Sequence, residues 1–272
     1  MTEFISSPEN KLIKEVASLK QKKYRDSLGM FVAEGVRLVE ECINAGWPVE
    51  VCIYTENAAA KNRTHSLIEK ITNMNCKMVV VPENIYNKIS DTDQPQGIMV
   101  ILEKRPSTID TMVSGINKQP LLIILDGIQD PGNVGTIIRT ADAAGCTGVI
   151  VLKGSADIYA GKTVRATMGS LFHLPITEAL SPSELLPVLK EAGIKVMATG
   201  LQKSFSYYQA DFNNPVAIVL GNEGQGVSAE LLKAADSCLT IPLVGQAESL
   251  NVAVAAGIIL YEAIRQRSTC NL

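Results

Sequence analysis

The constraint that most limits how this chain can fold is an aliphatic run, without polar alternation, that recurs along its second half. Leu121-Leu122-Ile123-Ile124-Leu125 is continuous, and residues 149–152, 195–199, 216–220 and 239–242 are similar, with helical stretches between them. A strand with one wet face alternates apolar and polar side chains, whereas a strand covered on both faces does not. Strand-then-helix repetition of this kind predicts an α/β domain with a mainly parallel sheet. Such sheets place ligands in the loops at the carboxyl ends of their strands, which is where chemistry is to be sought.

The first part of the chain reads differently. At 272 residues the length exceeds the usual single domain, so two domains are expected. Residues 8–28 read as one helix, with Leu12, Val16 and Leu19 at helical spacing and Ser6 or Ser7 as its cap. Phe31-Val32-Ala33-Glu34-Gly35 is a short apolar run, and residues 36–45 are helical up to Gly46. Strands are predicted at 49–54, 77–81 and 98–102, with a helix over 58–73. Together these predict a small α/β domain over residues 1–103. Residues 104–120 are polar and hold Pro106 and Pro120, the features of a linker, and residues 121–272 form the second domain.

Composition removes several classes of chemistry. The six cysteines (Cys42, Cys52, Cys76, Cys146, Cys238, Cys270) form no C-x-x-C pair and sit among apolar or small residues, which reads as buried, reduced thiols. With only His65 and His173 available, zinc chemistry and a Ser-His-Asp triad are poorly supported, and no metal is expected. No secretory leader and no membrane span are legible, so a cytoplasmic address is expected. A net charge of −3 does not mark a nucleic-acid binder. Its distribution says more: Lys11, Lys14, Lys20, Lys22, Lys23 and Arg25 stand against the single acid Glu15. Such a segment can contact phosphate, or can simply be a solvated helix face.

Three segments follow the predicted buried strands. In Asp126-Gly127-Ile128-Gln129-Asp130-Pro131-Gly132-Asn133-Val134-Gly135-Thr136-Ile137-Ile138-Arg139, Pro131 and Gly132 bend the chain and Asn133 is a plausible cap for a helix running to Gly145. The loop matches neither G-x-x-x-x-G-K-[ST] nor G-x-G-x-x-G, which counts against nucleotide-triphosphate and dinucleotide binding. In Leu220-Gly221-Asn222-Glu223-Gly224-Gln225-Gly226, three glycines allow close backbone approach to a ligand, and Glu223 either caps the turn or orients a polar group. The third segment, Ile241-Pro242-Leu243 and then Glu248-Ser249-Leu250-Asn251-Val252-Ala253-Val254-Ala255, enters a helix of small residues. Asn251 opens that helix, and a polar amide there needs a partner.

No one of these spacings is decisive, but their order is. D-x-x-x-D-P-x-N-x-G-x-x-x-R, then L-G-N-E-G-x-G, then I-P-L…S-L-N-V-A-V-A resembles the three motifs of the TrmH (SpoU) branch of the SPOUT RNA methyltransferases, over about 150 residues. Gly132 falls in the free position of the family's Asp-Pro-x-Asn. The first domain is also similar to the family's RNA-substrate-binding domain, at residues 31–35 and at Thr92-Asp93-Gln94-Pro95-Gln96-Gly97.

That resemblance implies an α/β trefoil knot for the second domain, an exception to the unknotted rule, and a homodimer whose site is completed across the interface. It implies S-adenosylmethionine as cofactor, held by Gly221, Ile241 and Leu250, with Leu220, Gly226 and Gly200 beside them. It implies transfer of a methyl group to a ribose 2'-hydroxyl of structured RNA. Arg139 matches the catalytic arginine, best understood as binding phosphate and stabilising alkoxide charge, because a guanidinium hardly deprotonates. Asn133, Glu223, Ser249 and Asn251 match the polar positions that orient it. Lys20, Lys22, Lys23, Arg25 and Arg37 are the candidate RNA contacts. The extra first domain favours rRNA of the large subunit, 23S, over tRNA as substrate. A non-catalytic binding member of the fold is the other reading, and the intact polar positions argue against it. A Rossmann-type oxidoreductase would require the G-x-G-x-x-G that is missing.

Overall fold

A computed structural model describes residues 2–74, 76–113, 119–200 and 204–269. In chain order these form β1 (Thr2–Phe4), α1 (Lys11–Ser18), α2 (Lys22–Leu28), β2 (Met30–Glu34), α3 (Val36–Asn44), β3 (Val49–Tyr54), α4 (Glu56–Ala59), α5 (Asn62–Thr72), β4 (Lys77–Val80), α6 (Glu83–Ile89) and β5 (Ile98–Glu103). There follow α7 (Ile109–Val113), β6 (Leu121–Asp126), α8 (Pro131–Ala143), β7 (Gly148–Leu152), α9 (Gly161–Thr167), β8 (Ile176–Leu180) and α10 (Pro182–Glu191). The chain continues through β9 (Lys195–Thr199), β10 (Phe205–Ser206), β11 (Val216–Gly221), α11 (Ala229–Ala234), β12 (Ser237–Thr240) and α12 (Val252–Thr269). Two compact units result: Met1–Arg105 together with Asp157–Phe172, and Pro106–Ala156 together with His173–Leu272.

The first unit is built on a five-stranded sheet of order β1-β4-β3-β5-β2, in which β5 runs antiparallel to both of its neighbours. Ile13, Val16 and Leu19 are buried with Ile53, Val79, Ile85 and Met99 in a core on one side of it. The helix expected over 8–28 is two helices. Asn10 caps α1 by accepting the Leu12 amide at 2.9 Å, so neither Ser6 nor Ser7 does. An unbroken helix would give the Leu19 and Lys20 carbonyls to the amides four residues on. Here the Arg25 guanidinium takes them at 2.7 and 2.8 Å, and the helix breaks there. The helix expected over 58–73 is likewise two, with Thr55 capping α4 through the Ala58 amide. The segment Asp157–Phe172, with α9, belongs to this unit: Trp47 donates its indole N–H to the Phe172 carbonyl at 3.1 Å.

The second unit holds a seven-stranded sheet of order β10-β12-β9-β11-β6-β7-β8, parallel at every pairing. Leu122 to Leu125, Val149, Ile150 and Ala217 to Leu220 are buried, as two-sided cover requires. The strands β8 and β10 have no counterpart in the sequence reading, because Ile-Thr-Glu-Ala-Leu and Phe-Ser at these edges lack a continuous aliphatic run. The stretch read as a linker contributes α7, whose Met112 is fully buried. Gly148 on β7 makes room for it, since an added Cβ would lie 2.5 Å from the Met112 sulfur. Five of the six thiols are free: Cys42, Cys52 and Cys146 are buried, Cys76 and Cys238 half-buried. Burial pushes the Cys42 and Cys146 thiols up to about 12. Cys270 lies outside the described residues.

Candidate active site

Because the sheet is parallel, the segments after β6, β11 and β12 leave from the same edge, and in sheet order β6 and β11 are neighbours. Two contacts fasten the first of these loops to the second. The Asn222 side-chain amide donates to the Gly127 carbonyl at 2.7 Å, and the Ser228 amide donates to the Asp126 carboxylate at 2.7 Å. Asn222 also accepts the Gly224 and Gln225 amides at 2.9 and 3.0 Å, which curls the glycine loop on itself. Gly127 and Gly226 take φ of 71° and 72°, a left-handed conformation that favours glycine. Gly221 is needed for a different reason: a Cβ there would sit 2.1 Å from the Val227 amide nitrogen.

A chain of polar side chains crosses these loops. Asn133 donates to Glu223 Oε1 at 2.9 Å, while the Gln129 and Asp130 amides donate to the same carboxylate at 3.2 and 3.4 Å. Asn251 in turn donates its amide to Asn133 Oδ1 at 3.0 Å. Its own Oδ1 accepts the Ala253 and Val254 amides at 2.9 and 3.3 Å, so it starts α12 with one end and reaches Asn133 with the other. Partial desolvation would raise the Glu223 pKa, but the Asn133 amide and the backbone N–H groups of Glu223, Gln129 and Asp130 outweigh it and hold it below the ordinary value. The carboxylate is thus an ionised, fully oriented acceptor.

The helix cap expected at Asn133 belongs to Asp130, whose carboxylate accepts the Asn133 amide at 2.8 Å with Pro131 in the first helical turn. That frees the Asn133 side chain for the chain above. Arg139 is exposed on α8 and Ser249 is exposed before α12; among the described residues neither is hydrogen-bonded to Asn133, Glu223 or Asn251. The helices α8 and α12 run side by side, joined at Asn133 and Asn251 and again where Gly257 approaches Thr140 Cγ2, 3.8 Å from an added Cβ.

The residues matched to a cofactor divide into two groups. Leu220 is fully buried within the ladder opposite Leu125, so it forms the wall behind the loop and offers no surface. Gly200 donates its amide to the Leu239 carbonyl at 2.9 Å, which leaves that N–H no role toward a ligand. Gly226, Ile241 and Leu250 keep accessible surface, and a Cβ at Gly226 or Gly245 would meet nothing within 4 Å. At Gly200 it would meet only Leu232 Cδ2, at 3.7 Å. Open backbone at Gly226 and half-exposed aliphatic side chains at Ile241 and Leu250 are features that a ligand combining a flat heterocycle with a polar tail, such as S-adenosylmethionine, can use. Among the described residues no three His, Cys, Asp or Glu side chains come together as a metal site requires.

The basic candidates lie in the first unit. Lys22 pairs with Asp26 at 3.0 Å, and Lys20 donates to the Lys88 and Ser90 carbonyls at 3.1 and 2.6 Å. Lys23 and Arg37 are exposed. Arg25 leaves the set of RNA contacts: it is 4% exposed and bound to Asp157 at 2.6 Å, so no phosphate can reach it. The sequence reading missed Asp126, Asp130 and Asn222. For Asp130 the available signal was its place directly before Pro131 at a helix start; the contacts that Asp126 and Asn222 make between loops are long-range and carry no local signal.

Known proteins resemble this chain in sequence and fold. The model of the SpoU rRNA Methylase family matches residues 120–261, and an MRM3-like substrate binding domain matches residues 10–100. A 23S rRNA (guanosine(2553)-2'-O)-methyltransferase of Bacillus subtilis, RlmP, is 37% identical over 94% of this chain and 97% of its own length. The solved structure of an AdoMet-bound rRNA methyltransferase from Sinorhizobium meliloti superposes with a TM-score of 0.87 at 35% identity, covering 97% of this chain and 98% of that one. The SpoU methyltransferase AviRb of Streptomyces viridochromogenes in complex with AdoMet gives 0.88 at 29% identity, covering 96% and 99%. The resemblance carried by the three motifs is borne out, and the chain belongs to the SpoU rRNA methylase family.

Proposed function

We propose that this chain methylates the ribose 2'-hydroxyl of a nucleotide in 23S rRNA, using S-adenosylmethionine. The observation that carries the reading is the Asn251–Asn133–Glu223 chain, at the strand ends of a fold whose relatives are named for that reaction. When bound, S-adenosylmethionine supplies an electrophilic methyl carbon and a neutral thioether leaving group. Gly226, Ile241 and Leu250 are the residues that would hold it, with buried Gly221 packed behind the loop.

The protein's own contribution is placement and charge. Glu223 fixes Asn133, and Asn133 fixes Asn251, so the polar floor is set before substrate arrives and need not reorganise during reaction. Arg139 presents a planar guanidinium fork suited to phosphate. It would bind the substrate phosphate and stabilise negative charge developing on the ribose 2'-oxygen, whose proton passes to bulk water. Ser249, next to the loop, orients the ribose.

The finer features follow from the same reading. A homodimer is supported by the stripe of Val254 and Tyr261, 51% and 56% exposed and two turns apart on α12, continued by Leu250. The second unit is taken to be a trefoil knot, as in the family. A cytoplasmic address suits an rRNA substrate; no helix among the described residues is long and apolar enough to cross a membrane. The domain limits of 1–103 and 121–272, with 104–120 between them, remain part of the proposal.

The test is methylation of unmodified 23S rRNA and of tRNA transcripts with labelled S-adenosylmethionine, followed by mapping of bonds that resist alkaline cleavage. One resistant position in 23S rRNA is expected. Modification of tRNA alone, or base methylation without resistance to alkali, overturns the assignment.

A further inference from the structure

Helix α2 is short, basic and exposes two large apolar side chains. Tyr24 and Leu28, 39% and 44% exposed, lie one turn apart on one flank of it. Lys23 reaches over the Tyr24 ring with its ammonium 5.9 Å from the centroid, and has no ion-pair partner among the described residues. A helix of seven residues is not stable alone. This one is fixed from beneath by Arg25, whose guanidinium holds Asp157 and the Leu19 and Lys20 carbonyls. Gly29, at φ 66°, ends it. The outcome is an aromatic ring exposed on an anchored helix, in a segment where Lys20, Lys22 and Lys23 gather positive charge.

We propose that Tyr24, with Lys23 and Leu28 beside it, is a stacking platform for an unpaired base of the substrate RNA. The inference rests on the rRNA reading above. RNA-binding surfaces recognise splayed bases on aromatic faces and follow the neighbouring phosphates with cations, which is the pairing that α2 presents. A second copy of the chain is a poor occupant, because it would bring two sets of like-charged lysines together. Pre-organisation by Arg25 means that little conformational freedom is lost on binding.

The experiment measures binding of the full chain to an unmodified 23S rRNA transcript at fixed salt, for wild type, Tyr24→Phe, Tyr24→Leu and Tyr24→Ala. The loss of one stacked base predicts affinity roughly 5- to 150-fold weaker for Tyr24→Leu and Tyr24→Ala, with Tyr24→Phe close to wild type. Lys23→Gln should lower the salt slope by about 1. S-adenosylmethionine affinity and melting temperature should not change, and Tyr24→Leu guards against a loss of helix packing. Equal binding by Tyr24→Leu and wild type overturns the proposal. So does an equal loss in Tyr24→Phe, which would indicate a hydroxyl contact, and so does a changed oligomeric mass with unchanged RNA affinity. A wild-type chain that neither binds nor methylates the transcript overturns the rRNA reading as well.

Discussion

Asn251 donates its side-chain amide to Asn133 Oδ1 across 3.0 Å, and so ties the start of α12 to the start of α8, residues 118 apart in sequence. Asn133 uses its own amide to hold Glu223, so three segments share one line of hydrogen bonds. The glycine loop and the two helix starts are thereby joined by one line of side-chain hydrogen bonds.

Arg139 stands outside the line, and the proposed function gives it the stabilisation of substrate charge. Arg139→Ala should lower methyl transfer by about 10²- to 10³-fold, the range for removing one charge-stabilising donor. S-adenosylmethionine affinity, read by calorimetric titration, should be unchanged. Arg139→Lys should recover only part of the rate, since an ammonium lacks the planar fork. A variant with wild-type turnover would remove Arg139 from the mechanism.

Glu223 makes the site sensitive to acid. Its pKa is depressed in the folded protein, so its stabilising effect is present above the unfolded value and is lost as pH falls through the folded one. Wild type should be more resistant to urea than Glu223→Gln at neutral pH. The gap should close as the pH drops below the ordinary glutamate value of 4.5. The same gap at pH 7 and in acid would show that the carboxylate's charge is not what holds Asn133.

Gly221→Ala should test the close packing of the glycine loop. An added Cβ would lie 2.1 Å from the Val227 nitrogen and 2.2 Å from the Gly226 carbonyl carbon, and backbone cannot swing aside as a side chain can. Overpacking of this kind costs about 1–3 kcal/mol, with a matching fall in urea midpoint. Cofactor affinity should fall too, because the loop that would hold it is displaced. Unchanged affinity would place S-adenosylmethionine elsewhere.

Arg25→Ala should destabilise the first unit by about 3–5 kcal/mol, since it removes the guanidinium that pairs with the enclosed Asp157 side chain. Both side chains are nearly closed to solvent, at 5% and 8%. Replacing both partners, Arg25→Met with Asp157→Leu, should recover part of that loss in the same urea titration. Equal stability of the single and double variants would mean that the charge pair is not the cause.

The last prediction marks where reading the sequence stopped. Arg25 sits among lysines, and its side chain has the same local credentials as theirs; only packing against Asp157, 132 residues away, turns it inward. Asn133 and Asp130 are likewise both good cap residues three positions apart, and the choice fell to Asp130 because Pro131 fits the first helical turn behind it. Asn222 stitches two loops by reaching a carbonyl 95 residues away, a relationship that no local pattern encodes. By contrast, β3 and β9 lie where the aliphatic runs predict them, at Val49–Tyr54 and Lys195–Thr199.

Local sequence determined what local physics controls: which stretches are covered on both faces, where helices alternate with strands, and the order of three polar segments at strand ends. Side-chain period and turn chemistry are properties of a few adjacent residues, so they survive in the chain without its fold. Tertiary structure decided the rest. Which polar groups meet, which cation is buried and which stays exposed depend on hydrogen bonds between residues about 90 to 130 positions apart. Asn251, Asn133 and Glu223 meet only when a parallel sheet brings its strand ends to one edge, and Arg25 turns inward only when the first unit packs Asp157 against it.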